Sequence, residues 1–212
     1  MDVSATGLIL RTRPLTETSL VVHWLTAEHG RLATVAKGAR RPKSPFRGKL
    51  DLFFLADFGY LPSRRSSLHL LREVTVRETH AGLRRDLALL QQASYAVQLV
   101  EQATETDTPL PGPFQLLSDL LDWLPHHAPS PVPVLAFELR LLEESGLAPD
   151  PGETRLSPAG RTLLRQLAVI PWTELAPGLA DPAAVAEVRR FLQVFLGQHL
   201  GRVPAGRTAA LG

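Results

Sequence analysis

Leu50-Asp-Leu-Phe-Phe-Leu-Ala-Asp-Phe-Gly-Tyr60 decides how the N-terminal region folds. Leu50, Leu52, Phe54, Ala56, Phe58 and Tyr60 fall on one face of this stretch, with Asp51 and Asp57 on the other. Successive side chains of a strand point to opposite sides, so a period of two predicts β-structure here. Outward from it, Thr6–Arg13, Ser19–Thr26, Gly30–Lys37 and Ser67–Glu78 are rich in β-branched or aromatic residues and are separated by breakers. Glu28-His29-Gly30 has the composition of a tight hairpin between the second and third strands. Five short strands in this span predict a small closed barrel, which buries one face and removes its own edges. Trp24 and Phe54 alternate with aliphatic residues and are expected in its core.

From Thr79 onward the period becomes helical. Leu83, Leu87, Leu90 and Val97 share a face, supported by Ala93 and Val100. Phe114–Leu124 and Val134–Leu142 are further helices. Ser157-Pro158 and Asp181-Pro182 each set a capping side chain before a proline suited to the first helical position. The last helix carries Val185, Val188, Leu192 and Phe195 on one face. Pro109–Pro113, Pro125–Pro133 and Pro149–Pro158 are inter-helix turns, because proline lacks an N–H and clashes with the preceding turn. The expected class is therefore α+β in two domains: a β-barrel over residues 1–79 and an all-α domain over residues 80–212.

The chain of 212 residues has 23 Lys+Arg, 21 Asp+Glu and no cysteine. Disulfides, cysteine nucleophiles and cysteine-based zinc or iron–sulfur sites are excluded. No apolar run suits a membrane helix, and the N-terminus lacks a signal-peptide pattern, so a cytoplasmic location is expected. The net charge of +2 conceals an asymmetry. Residues 1–80 hold 13 cations and 7 acids, a balance of +6; residues 81–212 hold 10 and 14, a balance of −4. All three lysines, Lys37, Lys43 and Lys49, lie in one short arm between the third and fourth strands.

That arm, Lys37-Gly-Ala-Arg-Arg-Pro-Lys-Ser-Pro-Phe-Arg-Gly-Lys49, carries six cations and no acid. Two prolines and two glycines argue against a helix. Crowded like charges repel one another, and a polyanion reverses that cost. Lys37, Arg40, Arg41, Lys43, Arg47 and Lys49 are thus candidate phosphate contacts, with Arg11, Arg13, Arg64 and Arg65 as flanking ones. Phe46 either stacks on a base or packs on the barrel. The plain alternative is a solvated loop. A five-stranded barrel with basic connections is the recipe of an OB-fold, although OB-folds often place a helix where this arm runs.

Gly7–Leu20 (GLILRTRPLTETSL), Thr26–Leu32 (TAEHGRL) and Val35–Ser44 (VAKGARRPKS) resemble, in order, the N-terminal domain of the bacterial RecO recombination-mediator family. Phe137–Leu147 (FELRLLEESGL) agrees more weakly with its helical half. The resemblance implies an OB-fold followed by an α-helical domain. It implies binding of single- and double-stranded DNA, annealing of complementary strands without ATP, and help in loading RecA on strands coated by single-strand-binding protein. RecR and the C-terminal tail of that coating protein are the implied partners, with no cofactor. Many members insert a four-cysteine zinc module after the segment matching Phe137–Leu147. Here Pro149–Pro158 crosses that gap without cysteine, so a zinc site does not transfer.

Catalytic signatures are missing. Pro42-Lys43-Ser44 stands where a P-loop needs Gly-Lys-Ser, and proline has no N–H to offer a phosphate. Neither Gly-x-Gly-x-x-Gly nor Gly-x-Ser-x-Gly occurs, which excludes a dinucleotide fingerprint and a hydrolase elbow. His126-His127 is expected to be solvated, as are Arg140, Arg189 and Arg190, and Glu17-Thr18-Ser19 supplies turn chemistry. A non-enzymatic role is expected. The rival is an adaptor whose basic arm binds RNA or an acidic protein tail.

Overall fold

The computed structural model describes residues 2–152, 154–175 and 178–212; Glu153, inside the Pro149–Pro158 joint, lies outside them. Five strands, β1 (Val3–Pro14), β2 (Leu20–Thr26), β3 (Gly30–Ala36), β4 (Leu55–Leu61) and β5 (Leu68–Glu78), close in the order β1-β2-β3-β5-β4. β4 pairs with β1 to complete the ring, and β3 lies parallel to β5 while the ring's other pairs are antiparallel. This is the five-stranded Greek-key barrel of the OB-fold.

The interior holds Ile9, Val22, Trp24, Phe54, Ala56, Phe58, Tyr60, Leu71 and Val74. Trp24 stacks on Phe58 at 4.0 Å between ring centroids, and Phe58 on Tyr60 at 5.7 Å. Burying the indole requires a partner for its N–H. Thr34 Oγ1, also fully buried, accepts it at 2.9 Å.

The period-two stretch is shorter than its sequence suggests. Phe54, Ala56, Phe58 and Tyr60 do point inward, but residues 51–54 form a turn and Leu52 is exposed. Phe53 has φ +69°, which no strand residue adopts. The turn is locked where Ile9 N donates to Phe54 O and Phe53 N donates to Ile9 O, both at 2.9 Å. Position 52 therefore follows the turn rather than the strand.

The chain divides into two compact units. The barrel, through His80, groups with Glu105–Gln115; the second unit is Ala81–Thr104 with Leu116–Gly212. The segment after Thr104 lies along the β2–β3 hairpin. Thr106 bridges Arg31, Asp107 N donates to Arg31 O at 3.1 Å, and Leu110 N donates to Ala27 O at 2.9 Å. Gly30, at φ +64°, makes this approach possible, since a Cβ there would meet Thr108 O at 1.9 Å. The proline-rich joint at 109–113 is thus a barrel element as well as a turn.

The described residues then form the α-helices α1 (Leu87–Ala103), α2 (Pro111–Trp123), α3 (Pro131–Glu144), α4 (Pro158–Val169), α5 (Pro182–Leu200) and α6 (Arg207–Leu211). Proline occupies the first position of α2 to α5, where its missing N–H is no loss. Ser157 Oγ accepts from Gly160 N and Asp181 Oδ1 from Ala183 N, the two expected caps. Leu87 departs from its expected face: it is 69% exposed, because Asp86 caps α1 and Leu83 sits in a separate 3-10 turn. On α5 the buried stripe is Ala184, Val188, Leu192 and Leu196, while Val185 and Phe195 are half-exposed. No described helix is long and apolar enough to cross a membrane.

α3 is the centre of the second unit, packing on α1, α4, α5 and α6. It carries a fully buried carboxylate, Glu138. Arg207 of α6 grips it with two N–H groups at 2.6 and 2.8 Å, and Tyr95 of α1 donates its hydroxyl at 2.5 Å. Burial pushes the Glu138 carboxyl above its ordinary range, and Arg207 opposes that shift. Burial and the neighbouring carboxylate raise Tyr95 as well, so it remains a phenol donor.

Replacing Arg207 with Ala strands this carboxylate and is expected to cost about 3–5 kcal/mol in urea unfolding. In that variant the folded chain holds a proton on Glu138 that the unfolded chain releases at the ordinary carboxylate value. Its stability therefore falls as pH rises past about 4.5, and its deficit against the parent shrinks at lower pH. A deficit independent of pH would contradict a stranded carboxylate.

Candidate nucleic-acid interface

The arm between β3 and β4 is a chain of tight turns. Ala39, Arg41, Ser44, Arg47 and Lys49 each donate a backbone N–H to the carbonyl three residues earlier, at 3.0–3.4 Å. Pro42 and Pro45 cannot donate, so the turns never merge into a helix. Gly38, at φ +69°, reverses the chain out of β3.

Backbone and side-chain contacts fasten the arm to the barrel. Arg40 N donates to Thr18 O at 3.0 Å and Gly38 N to Ser19 Oγ at 3.4 Å, both in the β1–β2 turn. That turn is itself held by Thr16 Oγ1, which accepts from Ser19 N at 3.1 Å, the turn chemistry its sequence suggests. Lys49 Nζ donates to Val74 O of β5 at 3.1 Å.

Phe46 is 7% exposed and belongs to the barrel's core cluster. Of its two expected roles the structure places it in packing: a ring with so little exposed area has no free face for a base. The apolar ring is the arm's anchor.

Lys37, Arg40, Arg41, Lys43 and Arg47 are exposed, and Lys49 is half-buried. None of these six pairs with a carboxylate among the described residues. Arg40 Nη1 instead reaches Thr16 O at 3.4 Å and Arg47 Nη1 reaches Pro42 O at 3.3 Å. Beside them opens a pocket of about 410 Å³, lined by Leu20, Ala39, Phe46 and Leu50 together with Arg40, Arg41 and Arg47.

Register shows which flanking cations join the arm. Pro14 pairs with Leu20 and Leu20 with Ala36, so Arg13 and Arg11 of β1 run toward the arm's end of the barrel. Both are exposed, and they surround His23, whose pKa falls to about 4 through burial and then through Arg11, Arg13 and Arg31. His23 is therefore neutral at physiological pH. Arg64 and Arg65 are exposed but lie elsewhere. Their loop precedes Leu68, which pairs with Ala33 in parallel, so it sits toward the Gly30 end of β3, away from the arm.

Three surface expectations change. His127 stacks on Trp123 at 3.7 Å and is half-buried rather than solvated. Arg140 donates to Leu167 O at 3.0 Å and to Ile170 O, and lies 4.6 Å over the Trp172 ring; it closes the C-terminus of α4. Arg189 donates to Gly212 O at 2.8 Å. Among the described residues no group of three His, Asp or Glu is placed to hold a metal ion.

Two family models match the chain: Recombination protein O N terminal over residues 1–80, and Recombination protein O C terminal over residues 84–153. The DNA repair protein RecO of Myxococcus xanthus is 32% identical over 92% of this chain and 91% of its own length. That of Anaeromyxobacter sp. (strain K) is 30% identical over 97% and 94%. That of Bacillus subtilis is 31% identical over 68% and 56%.

Phe46→Ala tests the anchor. It is expected to destabilise the chain by about 3 kcal/mol in denaturant unfolding, as loss of a buried phenyl does. A variant with parental stability would return Phe46 to the surface.

Proposed function

Because the chain belongs to the RecO family of DNA repair proteins, we propose that its arm is the surface on which it handles DNA strands. The observation carrying this reading is a set of exposed cations without carboxylate partners, held outward by an anchored turn chain. Lys37, Arg40, Arg41, Lys43 and Arg47 neutralise phosphates, with Arg11 and Arg13 extending the track. Lys49 contributes less, since Val74 O already occupies its ammonium. Arg64 and Arg65 serve a longer strand that wraps the barrel, or none.

The mechanism needs no nucleotide. Two complementary strands repel through their phosphates, and cations on one arm reduce that repulsion while leaving base edges free to pair. In this reading the protein binds single and double strands, anneals them, and works with RecR on strands coated by single-strand-binding protein so that RecA can load. It acts on the nucleoid as a mediator rather than an enzyme.

Five free cations on a single strand give a salt slope of about −3.5, so affinity is expected to fall about two decades between about 50 and 200 mM salt. The K37E/R40E/R41E variant is expected to lose at least about a hundredfold in single-strand affinity at low salt. Its unfolding curve should stay parental, because all three side chains are exposed. Parental affinity in that variant would overturn the assignment. Annealing of complementary oligonucleotides without ATP separates this reading from the adaptor, which would bind an acidic peptide as well as DNA and anneal nothing.

A further inference from the structure

Phosphate neutralisation leaves the pocket under the arm unexplained. Its lining mixes the apolar side chains Leu20, Ala39, Leu50 and Phe46 with three arginines. A phosphate is charged on every side and gains nothing from the apolar side chains. An aliphatic side chain gains nothing from guanidinium groups. A flat aromatic ring joined to phosphates satisfies both halves at once. Arg40 is tethered to Thr16 O and Arg47 to Pro42 O, which keeps both guanidinium groups beside the pocket, where they can stack on a ring face.

Resting on the reading that the arm binds DNA, we propose that this pocket takes one unstacked nucleobase of a single strand. The lining has no amide, carboxylate or hydroxyl side chain to read a base edge. Capture is therefore by stacking and burial, and any base serves. A paired base cannot enter without being pulled from its stack, at a cost of unpairing. The pocket thus separates single strands from duplex on an arm whose charges alone attract both.

The test uses the full chain and two labelled probes of equal length and charge, an oligothymidylate and the same backbone made abasic, with affinity read by fluorescence anisotropy. The intact strand is expected to bind about tenfold more tightly than the abasic one. Ala39→Leu, which narrows the pocket, is expected to bring that ratio close to one. Equal binding of the two probes by the parent protein overturns the pocket, and this comparison decides even if Ala39→Leu fails to fold. Failure of the arm itself looks different: K37E/R40E/R41E would then hold the abasic strand as the parent does. Displacement of the intact strand by an acidic peptide with apolar side chains, with both probes otherwise bound alike, would give the pocket to a peptide and overturn the proposal.

Discussion

Phe46 and Lys49 reach back from a run of like charges to the barrel, one into its apolar core and the other to the carbonyl of Val74. Six cations in thirteen residues have no tendency to fold on themselves, since each shortens its distance to another only at an electrostatic cost. Burial of one phenyl ring and a ladder of turn hydrogen bonds oppose that repulsion. The result is an arm ordered before any partner arrives, so less conformational entropy is lost on binding.

The anchor works because the barrel under it is stiff. Trp24, Phe58 and Tyr60 stack through its interior, and the closed ring leaves no free edge. Within the helical unit the rigid point is different in kind: a buried carboxylate held by Arg207 and Tyr95. Arg207 comes from the short α6, so the last few residues of the chain close a network centred on α3. Such a network costs desolvation, and it is tolerable here because both carboxylate oxygens have partners.

Much of this was legible beforehand, and the exceptions share a cause. Alternation revealed the strands because one face of each is buried, and the change of period at Thr79 revealed the helices. The start of β4 was misjudged because Leu52 obeys the alternation while a left-handed Phe53 turns the chain. Leu87 likewise fits a helical face, yet the cap at Asp86 starts α1 one residue later and leaves it in solvent. For the site, a cation-rich, acid-free arm was plain in the sequence. That Phe46 faces inward was not, because its neighbours in sequence are polar and its apolar neighbours come from other strands. Arg64 and Arg65 looked like companions of the arm because composition carries no information on which end of a barrel a loop occupies.

The sequence alone determined the two periods, the charge of the arm, the proline starts of four helices and the family. Each is a local property, set by side-chain spacing or by residue type. Only the tertiary structure decided that the barrel closes with β3 beside β5, that 105–115 returns to the β2–β3 hairpin, and that the arm lines a pocket of mixed apolar and cationic side chains. Those depend on which distant segments share a surface, and burial of apolar area is indifferent to sequence distance.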